Sequence, residues 1–461
     1  MLQAFINVFR IAELRNKILF TIGMLAVFRV GHWIPLPGIN QAQMTEALQT
    51  AQQEGGAVGN TLTTLAIFSG GAFSHSTIFG LGVMPYITAS IIFQLLMTVS
   101  PRLKKLQEEG PTGRQKIQEW QRYATIGLCI IQGLGWLKFA ESRGLIYAQW
   151  AASPMWWVMA VSALTAGTVF LMWCGEQIDK YGIGNGVSMI IMAGIVSAMP
   201  SSIAWVYNNF DPAADDKMGW LGLRSIVGGF VLVVGGSVLL TIAQRRIPVQ
   251  QAKHTRGRKV FGGQRSFLPL RLNHSGVMPV VFASSLMIFP GVLFTSLGSV
   301  FEPGSGTFNF FAWLHDQFAN GEYLYIVCEV LLIYFFSYFW ITVQFNPEEL
   351  AKQLRDQGSF IPGLRPGPRT AEYLEAVMER ITYVGATFLA VIAVLPMVAS
   401  NALRIDFAVT QFLGGTGLLI VVQVVLDFIQ RVEANLVMRN YAGFLGGESG
   451  KGPRIQGRLP T

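Results

Sequence analysis

Charge is what this sequence has least of. Asp, Glu, Lys and Arg make up 13% of its 461 residues and apolar types 51%, whereas a soluble domain carries roughly 25% charged residues. Nearly uncharged runs recur from Ile18 to Val425, and mean hydropathy is +0.43. A string of soluble domains is thereby excluded, and one integral membrane bundle is expected. Cysteine is also scarce. Cys129, Cys174 and Cys328 sit in apolar stretches, and an odd count without paired spacing excludes a disulfide framework or a zinc knuckle. The five histidines, His32, His75, His254, His274 and His315, show neither metal-ligand spacing nor a nucleophile partner. Near the end, Gly446 to Gly452 resembles a phosphate loop. However, Leu445 stands where its first glycine belongs, and no Ser or Thr follows Lys451. Gly182, Gly184 and Gly186 open a helix without the preceding strand that a dinucleotide site needs. Neither an enzyme, a metal nor a cofactor is expected.

What is present is a series of apolar stretches of spanning length, about 20 residues each. Ten are found, at approximately 17–36, 77–98, 121–140, 154–175, 184–204, 222–243, 275–298, 322–343, 380–399 and 409–430. Arg10, Arg15 and Lys17 before the first imitate a signal peptide, but the run is long enough to span and lacks a convincing cleavage site, so it is read as a retained span. With an even number of spans both termini share one side. Of 34 Lys and Arg, 28 then fall on that side, five on the other, and Arg29 lies within the first span. The positive-inside rule makes the richer side cytoplasmic. The net charge of +8 suits anionic lipid headgroups and charged partners at that face.

Three features depart from plain spans. Thr61 to Phe68 is apolar but only about two turns long before Ser69, Gly70 and Gly71 interrupt it; it is either re-entrant within the bundle or an external loop helix. Pro85, Pro279, Pro290 and Pro396 fall within spans and dispose those helices to kink. Two cytoplasmic loops are long and patterned. Arg245 to Lys253 and Lys259 to Leu270 flank a turn at His254 to Gly257 and read as a projecting basic β-hairpin, while Phe360 to Pro368 encloses Arg365 in a Pro/Gly-rich turn. Such loops read as docking surfaces. Intramembrane charge is sparse, with Arg29 and Glu329 the deep candidates and Asp427 nearer a helix end, which is a poor relay for an ion-coupled transporter.

Several strings, taken in order along the chain, resemble the SecY family, the central subunit of the bacterial protein-translocation channel. They are the Pro35 to Gly38 run, FSGGA at Phe68 to Ala72, GVMPYITASII at Gly82 to Ile92, GEQIDKYGIGNG at Gly175 to Gly186, PGLRPG at Pro362 to Gly367 and GGTGLLIVV at Gly414 to Val422. The resemblance implies an all-α fold of ten spans in two five-helix halves with inverted pseudo-symmetry, 1–204 and 205–434, followed by a cytoplasmic tail, 435–461. It implies a channel in the cell membrane that passes unfolded polypeptides and releases hydrophobic segments sideways.

The same resemblance assigns residues. A plug at about 61–72 would include Thr61, Leu62, Leu65, Ile67, Phe68, Ser69, Gly70 and Gly71. The pore ring would be Val83, Ile87, Val187, Ile191, Val281 and Ile420, and the lateral gate would involve Pro85, Gln94, Asn273 and Pro279. Val83 with Ile87, and Val187 with Ile191, are each spaced i, i+4, so each pair can face one axis. Arg365, with Arg245, Arg246, Arg256, Arg258 and Lys259, would serve the SecA ATPase and the translating ribosome. The small membrane subunits SecE and SecG, signal sequences and unfolded polypeptides complete the implied partners.

Overall fold

An α-helix occupies each of the ten apolar stretches. The computed structural model describes residues 11–44, 76–142, 144–151, 153–210, 219–251, 254–256, 259–261, 265–273, 276, 278–298, 305–318, 322–403, 409 and 415–445. In chain order, leaving aside the single turn Ala148–Ala151, the helices are α1 (Ala12–Gly31), α2 (Met84–Val99), α3 (Pro101–Glu108), α4 (Pro111–Ser142), α5 (Pro154–Tyr181), α6 (Gly186–Asn209) and α7 (Trp220–Ile242). Strands β1 (Gln244–Gln251), β2 (His254–Arg256), β3 (Lys259–Phe261) and β4 (Arg265–Arg271) follow. Then come α8 (Met278–Gly298), α9 (Gly306–Gln317), α10 (Tyr323–Gln344), α11 (Pro347–Asp356), β5 (Ser359–Phe360), α12 (Pro368–Leu403) and α13 (Thr416–Leu445).

Among the described residues five helices are long and apolar enough to cross a membrane, and a sixth span results if α2 and the helix bent 105° from it are counted together. The chain is a multi-pass membrane protein. Arg15, Lys17 and Arg29 dilute α1, and Asp427, Arg431 and Glu433 dilute α13. Large side chains such as Val231, Leu239 and Leu331 stay exposed on the helix faces, as expected where lipid is the solvent.

Several helices overrun their apolar stretches, α4 and α12 at their starts. α4 has 32 residues and α12 has 36. At 1.5 Å per residue both exceed the roughly 30 Å hydrocarbon layer, so their polar first turns stand outside it. The prolines divide into two kinds. Pro85 and Pro279 are the second residues of α2 and α8, where proline costs no intrahelical hydrogen bond; they start helices and do not kink them. Pro290 and Pro396 lie inside α8 and α12, and Pro200 lies inside α6.

The Pro35 to Gly38 run forms a ledge. Leu36 N–H donates to Ser76 O (2.9 Å), Ile78 N–H to Ile34 O (3.1 Å) and Tyr147 N–H to Gly38 O (3.2 Å). Trp156 Nε1 donates to Pro37 O at 2.9 Å. Leu36, Met44, Leu137, Ile146 and Trp156 pack beneath it.

Candidate functional site

The aliphatic positions lie on four separate helices. Val83 is the residue from which α2 starts and Ile87 is one turn on. Val187 and Ile191 occupy the first two turns of α6, whose start is fixed because Asn185 Oδ1 accepts from Ser188 N–H at 3.2 Å. Val281 lies in the first turn of α8 and Ile420 in that of α13. Five of the six are buried within one apolar cluster, and Val187, partly buried, packs against it. Such a group of side chains offers neither water nor ions a hydrogen bond.

Beside this cluster α2 touches α8. Pro85 and Pro279 are buried in their first turns. Gln94 is half-buried, and its Oε1 is sealed from solvent without a hydrogen-bond partner among the described residues. Asn273 is buried and its Nδ2 donates to Gly276 O at 3.0 Å. Asn273 therefore closes the turn leading into α8.

The basic hairpin forms, but His254 to Arg256, expected as part of its turn, are a strand paired with Lys259 to Phe261. β1 pairs antiparallel with β4 from Gln244↔Arg271 to Gln250↔Arg265, and β2 with β3 at the tip. Ile247 and Val249 alternate inward while Arg245 and Arg246 are exposed. Arg256 and Lys259 stand on the tip strands; Arg258 lies outside the described residues, as do the whole plug candidate, Thr61, Leu62, Leu65, Ile67, Phe68, Ser69, Gly70 and Gly71, and the final tail from residue 446.

One joint was missed in the sequence. β5, from the second cytoplasmic loop, adds to β1 through Gln250↔Phe360 and Gln251↔Ser359, giving a three-stranded sheet ordered β4-β1-β5. Two residues carry no strand period. The signal that could have revealed it is the apolar spacing of Leu374, Val377, Met378 and Ile381, one helical face at the start of α12, ahead of the apolar stretch 380–399. These residues pack on Ile247, Val249, Leu270 and Ile361 as a small core. α11 joins them, capped by Asn346 Oδ1 accepting from Glu349 N–H at 3.3 Å. Arg365 is thus held on an ordered platform. Gly363 and Gly367 adopt φ of 88° and 121°, conformations that side chains disfavour, and Thr370 Oγ1 donates to Arg365 O at 2.9 Å. The guanidinium itself is exposed. The structure therefore brings Arg365 and the hairpin onto one platform and gathers the aliphatic positions in a separate cluster.

Comparison with known proteins agrees with this architecture. The sequence model of the SecY family matches residues 77–429. A protein translocase subunit SecY of Chlamydia muridarum is 40% identical over 465 aligned residues, covering 97% of this chain and 99% of that protein. One of Thermotoga maritima is 38% identical over 460, covering 99% and 100%. Among solved structures, one described as a protein conducting channel superposes with a TM-score of 0.61 at 16% identity, covering 94% of this chain and 95% of that one. Sec61 from a canine ribosome-channel complex of the endoplasmic reticulum gives 0.56 at 15%, with the same coverage. At such identities the superpositions speak for the fold, and the near-full-length sequence matches speak for descent: the chain belongs to the SecY family.

Proposed function

We propose that this protein is the channel subunit of a protein translocase, passing unfolded polypeptides across the cell membrane and releasing hydrophobic segments sideways into lipid. The observation that supports this most is the meeting of Val83, Ile87, Val187, Ile191, Val281 and Ile420, from four helices, in one apolar cluster. A narrow aliphatic ring dewets and so resists ions. It holds no fixed hydrogen-bonding partner, so it can yield around a chain of any sequence. The chain performs no chemical step, and the driving force comes from partners.

The finer reading follows from the same premise. Ten spans form two halves, 1–204 and 205–434, with both termini cytoplasmic, in keeping with 28 of the 34 basic residues on that side. Residues 61–72 plug the outer side of the ring. The seam between α2 and α8, with Pro85, Gln94, Asn273 and Pro279, is the lateral gate. Arg365, Arg245, Arg246, Arg256, Arg258 and Lys259 face the cytoplasm, where a guanidinium held in a rigid turn suits carboxylates of SecA or phosphates of ribosomal RNA. SecE and SecG associate within the membrane, and anionic lipids with the basic rim.

The direct test is reconstitution. The chain with SecE, SecG, SecA and ATP in vesicles of anionic lipid is expected to move an unfolded secretory precursor to a protease-protected interior. A precursor that stays protease-sensitive, in vesicles shown to contain folded protein, overturns the reading. For topology, cysteine at Arg256 is expected to react only with a cytoplasmic label.

A further inference from the structure

Where α10 and α12 leave the platform, a carboxylate and three tyrosines meet that neither the ring nor the platform core uses. α12 buries Met378 and Ile381 in the platform core, and its apolar stretch begins at 380, so Glu379 stands at the level where this helix enters the membrane. Glu379 and Tyr383 are one turn apart on α12, and Tyr334 and Tyr338 one turn apart on α10; the two helices pack side by side. The Tyr334 and Tyr383 rings lie 5.8 Å apart, tilted by 48°. Tyr338 is within electrostatic reach of Glu379, Tyr334 and Tyr383. Tyr334 is held in place: its hydroxyl is 2.6 Å from Thr387 Oγ1, and because Thr387 gives its own proton to Tyr383 O at 2.7 Å, Tyr334 is the donor. Glu379, Tyr338 and Tyr383 remain exposed, and among the described residues no salt bridge engages Glu379.

We propose that this cluster binds the headgroup of a zwitterionic phospholipid, with the lipid ammonium at Glu379 among the tyrosine rings. Tyrosines at the headgroup level are common in membrane proteins; the carboxylate beside them is what gives this group a ligand. Glu379 supplies the opposite charge, and aromatic faces attract a cation the more strongly as it loses water. A lipid fits better than a free cation or a basic side chain for two reasons. Arg380, exposed at the next position, suits the phosphate that neighbours the ammonium in such a headgroup. Deeper in the membrane the same strip continues as exposed apolar side chains, Leu331 and Phe335 of α10 and Val391 and Leu395 of α12, which suit the acyl chains joined to that headgroup. An anionic lipid without an ammonium would meet the Glu379 charge unfavourably, so the site discriminates between headgroups.

The test is lipid retention by the full chain with its membrane subunits, equilibrated with equal amounts of phosphatidylethanolamine and phosphatidylglycerol and counted by native mass spectrometry. Glu379→Gln is expected to lower the affinity for phosphatidylethanolamine about fivefold and Tyr383→Leu about threefold, with phosphatidylglycerol unchanged. Glu433→Gln, the same charge change at an exposed position of α13, is expected to alter neither. Glu379 and Tyr383 are both exposed, so an unchanged melting temperature is expected and separates lost lipid from lost folding. Phosphatidylethanolamine retained in full by both variants, or both lipids lost alike, overturns the site. A photoreactive residue at Tyr383 distinguishes the sources of the cation. In native membranes an adduct to phosphatidylethanolamine is expected; an adduct to a protein subunit in its place would mean that a basic side chain fills the cluster, and would overturn the lipid site.

Discussion

The small core beneath the β-hairpin, here the platform, and the cluster proposed as a pore ring are built from the same aliphatic residue types, yet burial means different things in each. Ile247, Val249, Leu270, Leu374 and Met378 form a small core outside the bilayer. There, removal from water is worth about 25 cal/mol per Å², and this energy holds Arg365 and the hairpin in place. Val83, Ile87, Ile191, Val281 and Ile420 are buried as deeply, but their helices are already solvated by lipid, which is as apolar as the side chains and so contributes little drive to packing. Aliphatic contact is therefore structural in the platform, whereas in the proposed ring it would serve to exclude ions.

That difference can be broken or sharpened by substitution. Leu374→Ala in the platform core is expected to cost about 2–5 kcal/mol locally, read as faster proteolysis between β1 and α12 and as lost SecA-dependent translocation; unchanged proteolysis would deny that the loops share a core. Glu329 runs the other way. It is fully buried in α10, and among the described residues neither carboxylate oxygen has a hydrogen-bond partner, so Glu329→Leu should stabilise the detergent-solubilised protein by about 1–3 kcal/mol; a lower melting temperature would reveal a partner for the carboxylate. Arg365→Lys keeps the charge but loses the planar fork, and about a tenfold drop in translocation at unchanged melting temperature is expected, equivalent to about 1.4 kcal/mol. The smallest change in stability, below about 1 kcal/mol, is expected for Ile191→Ser in the ring, accompanied by raised ion conductance of resting channels. A large melting shift with no leak would reverse the comparison.

How far each region could be read beforehand follows from the same physics. The hairpin announced itself because Ile247 and Val249 alternate with polar neighbours around a turn, and the Arg365 loop because Pro and Gly fix its φ angles. β5 did not, since two residues have no period and are recruited by β1. The helices were legible from apolar length, but their ends were not: α12 starts 12 residues before its apolar stretch because Leu374 to Ile381 bury against the platform. Likewise Pro85 and Pro279 read as kinks from within an apolar run and prove to be helix starts. Val83, Ile191 and Ile420 carry no signal at all, because valine and isoleucine in a membrane helix are equally suited to lipid, to packing or to a pore. Only the resemblance to a family singled them out.

In the proposed channel these side chains surround a moving polypeptide. The most direct measurement is crosslinking of a stalled secretory chain to single cysteines at Val83, Ile191, Val281 and Ile420, in a variant lacking Cys129, Cys174 and Cys328. Adducts at all four positions, and none at outward-facing Val231 or Leu331, are predicted. Efficient translocation with no adduct at any of the four would contradict the account and put the path elsewhere in the bundle.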